Sequence, residues 1–226
     1  TMSLRRSEVK PVLSGNLNTV WGIGLSIMPY FILAFIPVWN QLRYSKKTVI
    51  TAGTLCMLLN IVSVILIIEM VPKWNSLRFF HSLFFLFLYL VVYMAMVRGT
   101  PSKLVFIGFL VKSYADFIVT MAKYLEVTYL TFGLHRVYVQ TSYSFYFNLF
   151  QVVVLLVTYP LIWLFFRKKV ARVMQTRNKA WGYLWIIPLV YYIISLAFGA
   201  MNASLIAQWQ FLIFNLVSFF GFYLIY

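Results

Sequence analysis

Seven long apolar stretches, at about 17–39, 48–70, 78–98, 103–124, 143–166, 181–200 and 203–226, constrain this chain more than any other feature. A helix needs roughly 20 such residues to cross the hydrocarbon core of a bilayer. Inside that core every backbone polar group must be satisfied internally, which leaves helices and closed barrels. These runs are continuously apolar rather than alternating, so the pattern predicts an all-α fold. The expectation is a polytopic membrane helix bundle of about seven transmembrane helices. Composition agrees: 63% of the 226 residues are hydrophobic and 10% are charged, against about half and a quarter in soluble domains. Gly22, Gly24, Pro29, Pro160 and Pro188 fall inside the runs, where neighbouring groups satisfy the backbone they free.

Charge sets the expected orientation. The formal charge is +15, from nineteen Lys/Arg and four Asp/Glu. On a polar chain such an excess would suggest nucleic acid, but here the bases lie between apolar runs. With the N-terminus outside and the C-terminus cytoplasmic, the inner loops hold Arg43, Lys46 and Lys47, then Arg98 and Lys103, then Arg167, Lys168, Lys169, Arg172, Arg177 and Lys179. Those eleven bases have no acid among them. The outer side holds seven bases together with Glu8, Glu69 and Glu126. Because Lys and Arg concentrate on cytoplasmic loops, this orientation is preferred, although basic Arg5, Arg6 and Lys10 pull the other way. The basic loops are expected to touch membrane lipids rather than nucleic acid. The first basic cluster leads into a full-length span, unlike a cleavable signal peptide.

The last run ends at Phe219 to Tyr226 without a basic flank or polar tail, where a spanning helix normally carries an interfacial anchor. Residues 1–226 therefore read as one transmembrane domain, expected to be truncated before a cytoplasmic part.

One segment carries a resemblance. From Thr158 a Pro160-Leu161 helix ends in Arg167, Lys168 and Lys169. After a basic loop, Trp181, Leu184, Trp185, Ile187, Pro188 and Tyr191 open the next run. This resembles the membrane sensor region of Firmicutes sensor histidine kinases with a GHKL-type ATPase domain. The segment Leu42 to Lys47 and the stretch from Lys112 to Asp116 are compatible with it. The resemblance implies a sensor module in a bacterial cell membrane, working in a two-component system as the receptor part. It would relay ligand-induced helix repacking through the last span to a cytoplasmic kinase. The signal would be extracellular or membrane-borne, a peptide being one chemistry that fits, and a homodimer is the implied assembly. The chain itself contains no phosphorylatable His-Asp pair after the last span, no Asn-rich ATP box and no glycine-rich lid, so no catalytic domain is expected within it.

The sharpest local feature is Lys112 with Asp116, both inside the fourth run at i, i+4 spacing, on one helix face. Thr120 and Lys123 continue that face. Charges at this depth cost at least a few kcal/mol each when uncompensated. Two readings stand open: a polar site that binds the signal or responds to protons, and an internal ion pair that fixes helix packing. The longer outer segment 127–142 offers Tyr129, Phe132 and Tyr138 as contacts for an apolar or peptidic signal. Interfacial anchoring is the plainer account of the same aromatics. The candidate ligand-binding set is thus Lys112, Asp116, Thr120, Tyr129, Phe132 and Tyr138.

Other chemistries find little footing. Cys56 is the lone cysteine, so no intrachain disulfide or thiolate cluster forms. His81 and His135 are too few for an intramembrane zinc site, and His81 reads as interfacial. No local motif supports a Cys/His peptidase built on Cys56 and His81. A retinal protein would need a lysine in the last run, and 203–226 has none. No cofactor is called for. The competing function is a small-solute transporter or its substrate-binding membrane subunit, which also places polar groups in mid-membrane; the lack of an inverted repeat favours the sensor.

Overall fold

The computed structural model describes residues 6–70, 75–130, 144–175 and 181–201, and all of its elements are helical. Helix α1 spans Arg6–Phe35 and runs into a 3₁₀ segment, Ile36–Gln41. Then come α2 (Lys46–Met70), α3 (Asn75–Met96), α4 (Pro101–Leu130) and α5 (Phe145–Gln175). A short α6 (Trp181–Leu184) leads into α7 (Ile186–Met201). Six of the seven expected apolar runs fall on these helices, and the run 203–226, apart from Ile213, lies outside the described residues. Four segments are long and apolar enough to cross a membrane: Leu17–Gln41, Lys46–Ile67, Pro101–Glu126 and Phe145–Leu164. The apolar pieces Phe80–Met96 and Trp181–Ile194 are shorter.

Local chemistry sets the helix ends. Pro37 sits at the start of the 3₁₀ segment, a position where its missing N–H costs nothing. Beyond it Leu42 is extended and bridges Val97, while Arg43 N donates to Met96 O at 2.8 Å and Arg98 N to Gln41 O at 2.7 Å. The α1–α2 and α3–α4 connections are thereby clipped together. Ser45 caps α2 by accepting from Thr48 N, and Ser144 caps α5 by accepting from Phe147 N. Each side-chain oxygen satisfies one of the donors a helix start leaves open.

The same contacts show how the basic loops assemble. Lys103 Nζ donates to Met174 O at 3.2 Å, which joins the start of α4 to the end of α5. Arg43, Lys46, Lys47, Arg98, Lys103 and the bases from Arg167 to Arg172 therefore gather at one end of the bundle. At the opposite end Asn148 Nδ2 donates to Asn18 O at 2.9 Å, and Ser144 bonds Glu126.

Helix α4 is central, packed by α1, α3, α5, α6 and α7. Its buried Leu104, Ile107, Val111, Tyr114 and Ile118 form the spine of the main core with Leu33 of α1, Tyr93 of α3 and Phe166 of α5. Helix α2 is peripheral and turns Leu55, Leu58, Leu59, Val62 and Leu66 outward. An apolar face of that extent is a liability in water and is what a bilayer requires. Where α1 and α2 cross, a Cβ on Gly53 would lie 2.1 Å from Phe31 Cε1; only glycine permits this approach.

Candidate functional site

The charged pair predicted from spacing forms. Lys112 Nζ donates to Asp116 Oδ1 across one turn of α4. At about 1.5 Å per residue, Lys112 lies roughly 13 Å along α4 from Lys103, and Asp116 roughly 15 Å short of Glu126. The pair is therefore mid-bundle. It is not sealed, because the two side chains keep 25% and 26% of their surface accessible.

That remaining surface faces a half-open cavity of about 310 Å³ lined by four helices. Helix α1 contributes Ser26 and Tyr30, α2 Asn60, α3 His81, Ser82 and Tyr89, and α4 Lys112 and Asp116, with apolar residues between them. Most polar groups of the wall are held in place. Asn60 Nδ2 donates to Tyr89 Oη at 2.9 Å. Ser26 Oγ donates to Gly22 O and accepts from Gln151 Nε2 of α5 at 2.7 Å, with Gln151 fully buried. Tyr30 Oη is buried and has no hydrogen-bond partner among the described residues. Behind the pair, Lys112 Nζ stands 5.2 Å from the ring centroid of Tyr192 on α7, a cation–π distance.

His81 is the residue whose role sequence reasoning missed. Read as interfacial, it lines the cavity and sits 2.7 Å from Ser63 Oγ. Ser63 Oγ also lies 2.8 Å from Asn60 O, an acceptor for its proton in the same helix. His81 bonds Ser63 rather than Cys56, which gives a Cys/His peptidase no support. No group of three or more His, Cys, Asp or Glu side chains able to hold a metal occurs among the described residues.

The other sequence-selected residues are placed separately. Thr120 is buried, donates to Asp116 O at 2.7 Å, and does not line the cavity. Lys123 reaches over the ring of Phe147 on α5 at 5.4 Å. Tyr129 is exposed near the C-terminal end of α4, far from the ion pair. Phe132, Tyr138 and His135 lie outside the described residues, as does most of the 127–142 segment. In the Trp181 segment, Trp181 is buried, edge-on to Phe106 at 5.4 Å and 6.0 Å from Lys103 Nζ. It anchors the start of α6 against the basic end.

Chemically, the cavity is lined by a cation, a carboxylate, an imidazole, the phenol of Tyr89, an amide and the hydroxyls of Ser26 and Ser82 in an apolar frame, groups of the kind that hydrogen-bond small polar molecules. No family model matches the chain, and neither does any curated protein or solved structure.

Proposed function

We propose that this chain is a multi-pass membrane module that senses a small polar ligand within the bundle, at the Lys112–Asp116 pair. One observation carries the reading: a mid-bundle ion pair opens onto a 310 Å³ cavity whose wall comes from four helices. A purely structural pair needs no such space. Ligand pockets run from about 300 to 1,000 Å³, so this one suits a small metabolite rather than a peptide. A zwitterionic or strongly dipolar solute fits the chemistry, with its acidic group toward Lys112 and its donor toward Asp116.

Sensing requires that ligand bind one helix packing better than another. Ser26 supplies a connection, since it lines the cavity and is bonded to Gln151 in α5, which leads to the basic cluster at Arg167 to Arg172. In the full proposal the basic end is cytoplasmic and the last span passes the repacking to a kinase of the type the Trp181–Tyr192 segment resembles. The coding sequence beyond Tyr226 tests that part: a His-bearing dimerisation helix and an ATPase domain support it, and a stop codon overturns it.

The cavity is tested on the purified chain. Small amino acids and other zwitterions are screened for a rise in thermal unfolding temperature. The expected result is a concentration-dependent rise that Asp116→Asn abolishes while the variant still inserts and folds. A rise unchanged in Asp116→Asn and in Lys112→Gln overturns the site. The same cavity also fits a transporter, and proteoliposome flux separates the two: stabilisation without flux supports the sensor, whereas saturable flux lost in Asp116→Asn supports the transporter.

A further inference from the structure

A second concavity, on the outside of the bundle, differs in every respect from the cavity. It runs between α1 and α2, measures about 680 Å³, and is lined almost wholly by apolar atoms, with Trp21, Met28, Phe35, Trp39, Gly53 and Ile50 among its residues. Along α1 it extends from Trp21 to Phe35, roughly 21 Å at 1.5 Å per residue, or about two thirds of a hydrocarbon core, and it continues to Trp39 in the 3₁₀ segment. It is open sideways, since Trp21, Met28 and Ile50 are exposed.

One end of this groove is charged. Lys46 Nζ lies 5.6 Å from the ring centroid of Trp39, which lines the groove. Arg43 and Lys47 flank it, and all three bases are exposed. No acid occurs from Ile36 to Ile68. A long apolar slot with a Trp and a cluster of bases at its mouth matches one ligand chemistry, a lipid tail joined to an anionic headgroup. Interfacial tryptophan marks headgroup depth, and each nearby base attracts an anionic lipid.

We propose that the α1–α2 groove is a specific site for one anionic phospholipid, its acyl chain against Gly53 and Phe35 and its phosphate on Lys46 and its neighbours. The site rests on the membrane reading of the chain and is independent of the ligand cavity. Lipid bound there would extend, on the outer side, the packing of α2 on α1 that Ile23, Ile27 and Ile61 provide inside.

The test is native mass spectrometry of the delipidated full chain titrated with phosphatidylglycerol or phosphatidylcholine. One phosphatidylglycerol per chain is expected to be retained in preference to phosphatidylcholine. Lys46→Gln lowers that retention about fivefold, and adding Lys47→Gln lowers it about 25-fold, from the attraction per base near a surface. Thr54→Trp and Ile50→Trp place bulk in the groove from exposed positions and abolish retention with helical content unchanged. Arg167→Gln with Lys168→Gln leaves it unaltered. Equal retention of the two lipids overturns the proposal, as does retention that survives both groove-filling variants. A doubled mass that these variants return to that of a single chain assigns the groove to a second copy and overturns it as well.

Discussion

Neutralising one member of the Lys112–Asp116 pair is expected to cost far more than its i, i+4 spacing suggests. On a water-exposed helix such a pair contributes about 0.3–0.5 kcal/mol. Here both side chains keep only about a quarter of their surface accessible, and they sit mid-bundle. At hydrogen-bond contact and an effective dielectric of 20, the gross attraction is about 5 kcal/mol. Partial access to the cavity reduces the penalty. The expected destabilisation is about 2–3 kcal/mol for Asp116→Asn or Lys112→Met, in line with a charge left in a membrane interior. The double variant is expected to lose less than the sum, with a coupling energy near 2 kcal/mol. Reversible denaturant titration of the four proteins in bicelles measures the cycle, and the Tyr192 contact of Lys112 cancels in it. A coupling at or below 0.5 kcal/mol with additive singles would refute the reasoning, because the pair would then behave as a hydrated surface pair.

Other perturbations follow from the packing. Gly53→Ala places a Cβ 2.1 Å from Phe31 Cε1 and 2.5 Å from Cζ. It is expected to lower stability by about 1–3 kcal/mol, and Phe31→Leu should restore most of that loss in thermal unfolding. Gln151→Met removes the bond to Ser26 but also removes Oε1, which has no hydrogen-bond partner among the described residues. Its cost is expected to stay under about 1 kcal/mol, as for most interhelical bonds in membranes, and a loss above 2 kcal/mol would contradict this. In a Cys56→Ser background, cysteines at exposed Tyr44, Thr100 and Lys168 should all react with an impermeant maleimide from one side of the membrane. A cysteine at exposed Phe145 should react from the other side only, and labelling of all four from one side would overturn the arrangement of ends.

The helices were legible because the bilayer demands long apolar runs, and such runs are read directly from the sequence. The grouping of the bases was legible for a related reason: consecutive spans alternate in direction, so every second connection shares an end. Faces were harder. Steps of four residues drift by about 40° around a helix of 3.6 residues per turn. Lys112, Ala115, Asp116 and Val119 therefore share the cavity wall, whereas Thr120, two such steps from Lys112, turns aside and bonds the Asp116 carbonyl. In an apolar span, moreover, the lipid-facing and core-facing sides carry the same residue types. Nothing in Leu55 or Leu58 distinguishes them from Leu86 or Leu90, yet the first two face outward and the others are buried.

His81 shows where spacing arguments stop and packing takes over. Its partner Ser63 is 18 residues away on α2, and the Asn60 carbonyl that Ser63 also bonds belongs to the preceding turn of the same helix. Only the antiparallel contact of α2 with α3 brings the three together. The same contact sets Asn60 on Tyr89, so the α2 and α3 polar groups of the cavity satisfy one another. The α4 groups do so as well through the ion pair. Tyr30, on α1 between these two sets, has a buried hydroxyl with no hydrogen-bond partner among the described residues. A buried hydroxyl without a partner costs about 1–3 kcal/mol, and the ring of Tyr30 packs on Tyr89 without needing that oxygen. Tyr30→Phe is therefore expected to raise the stability of the protein by about 1 kcal/mol in thermal unfolding, and a loss of similar size would refute the reasoning.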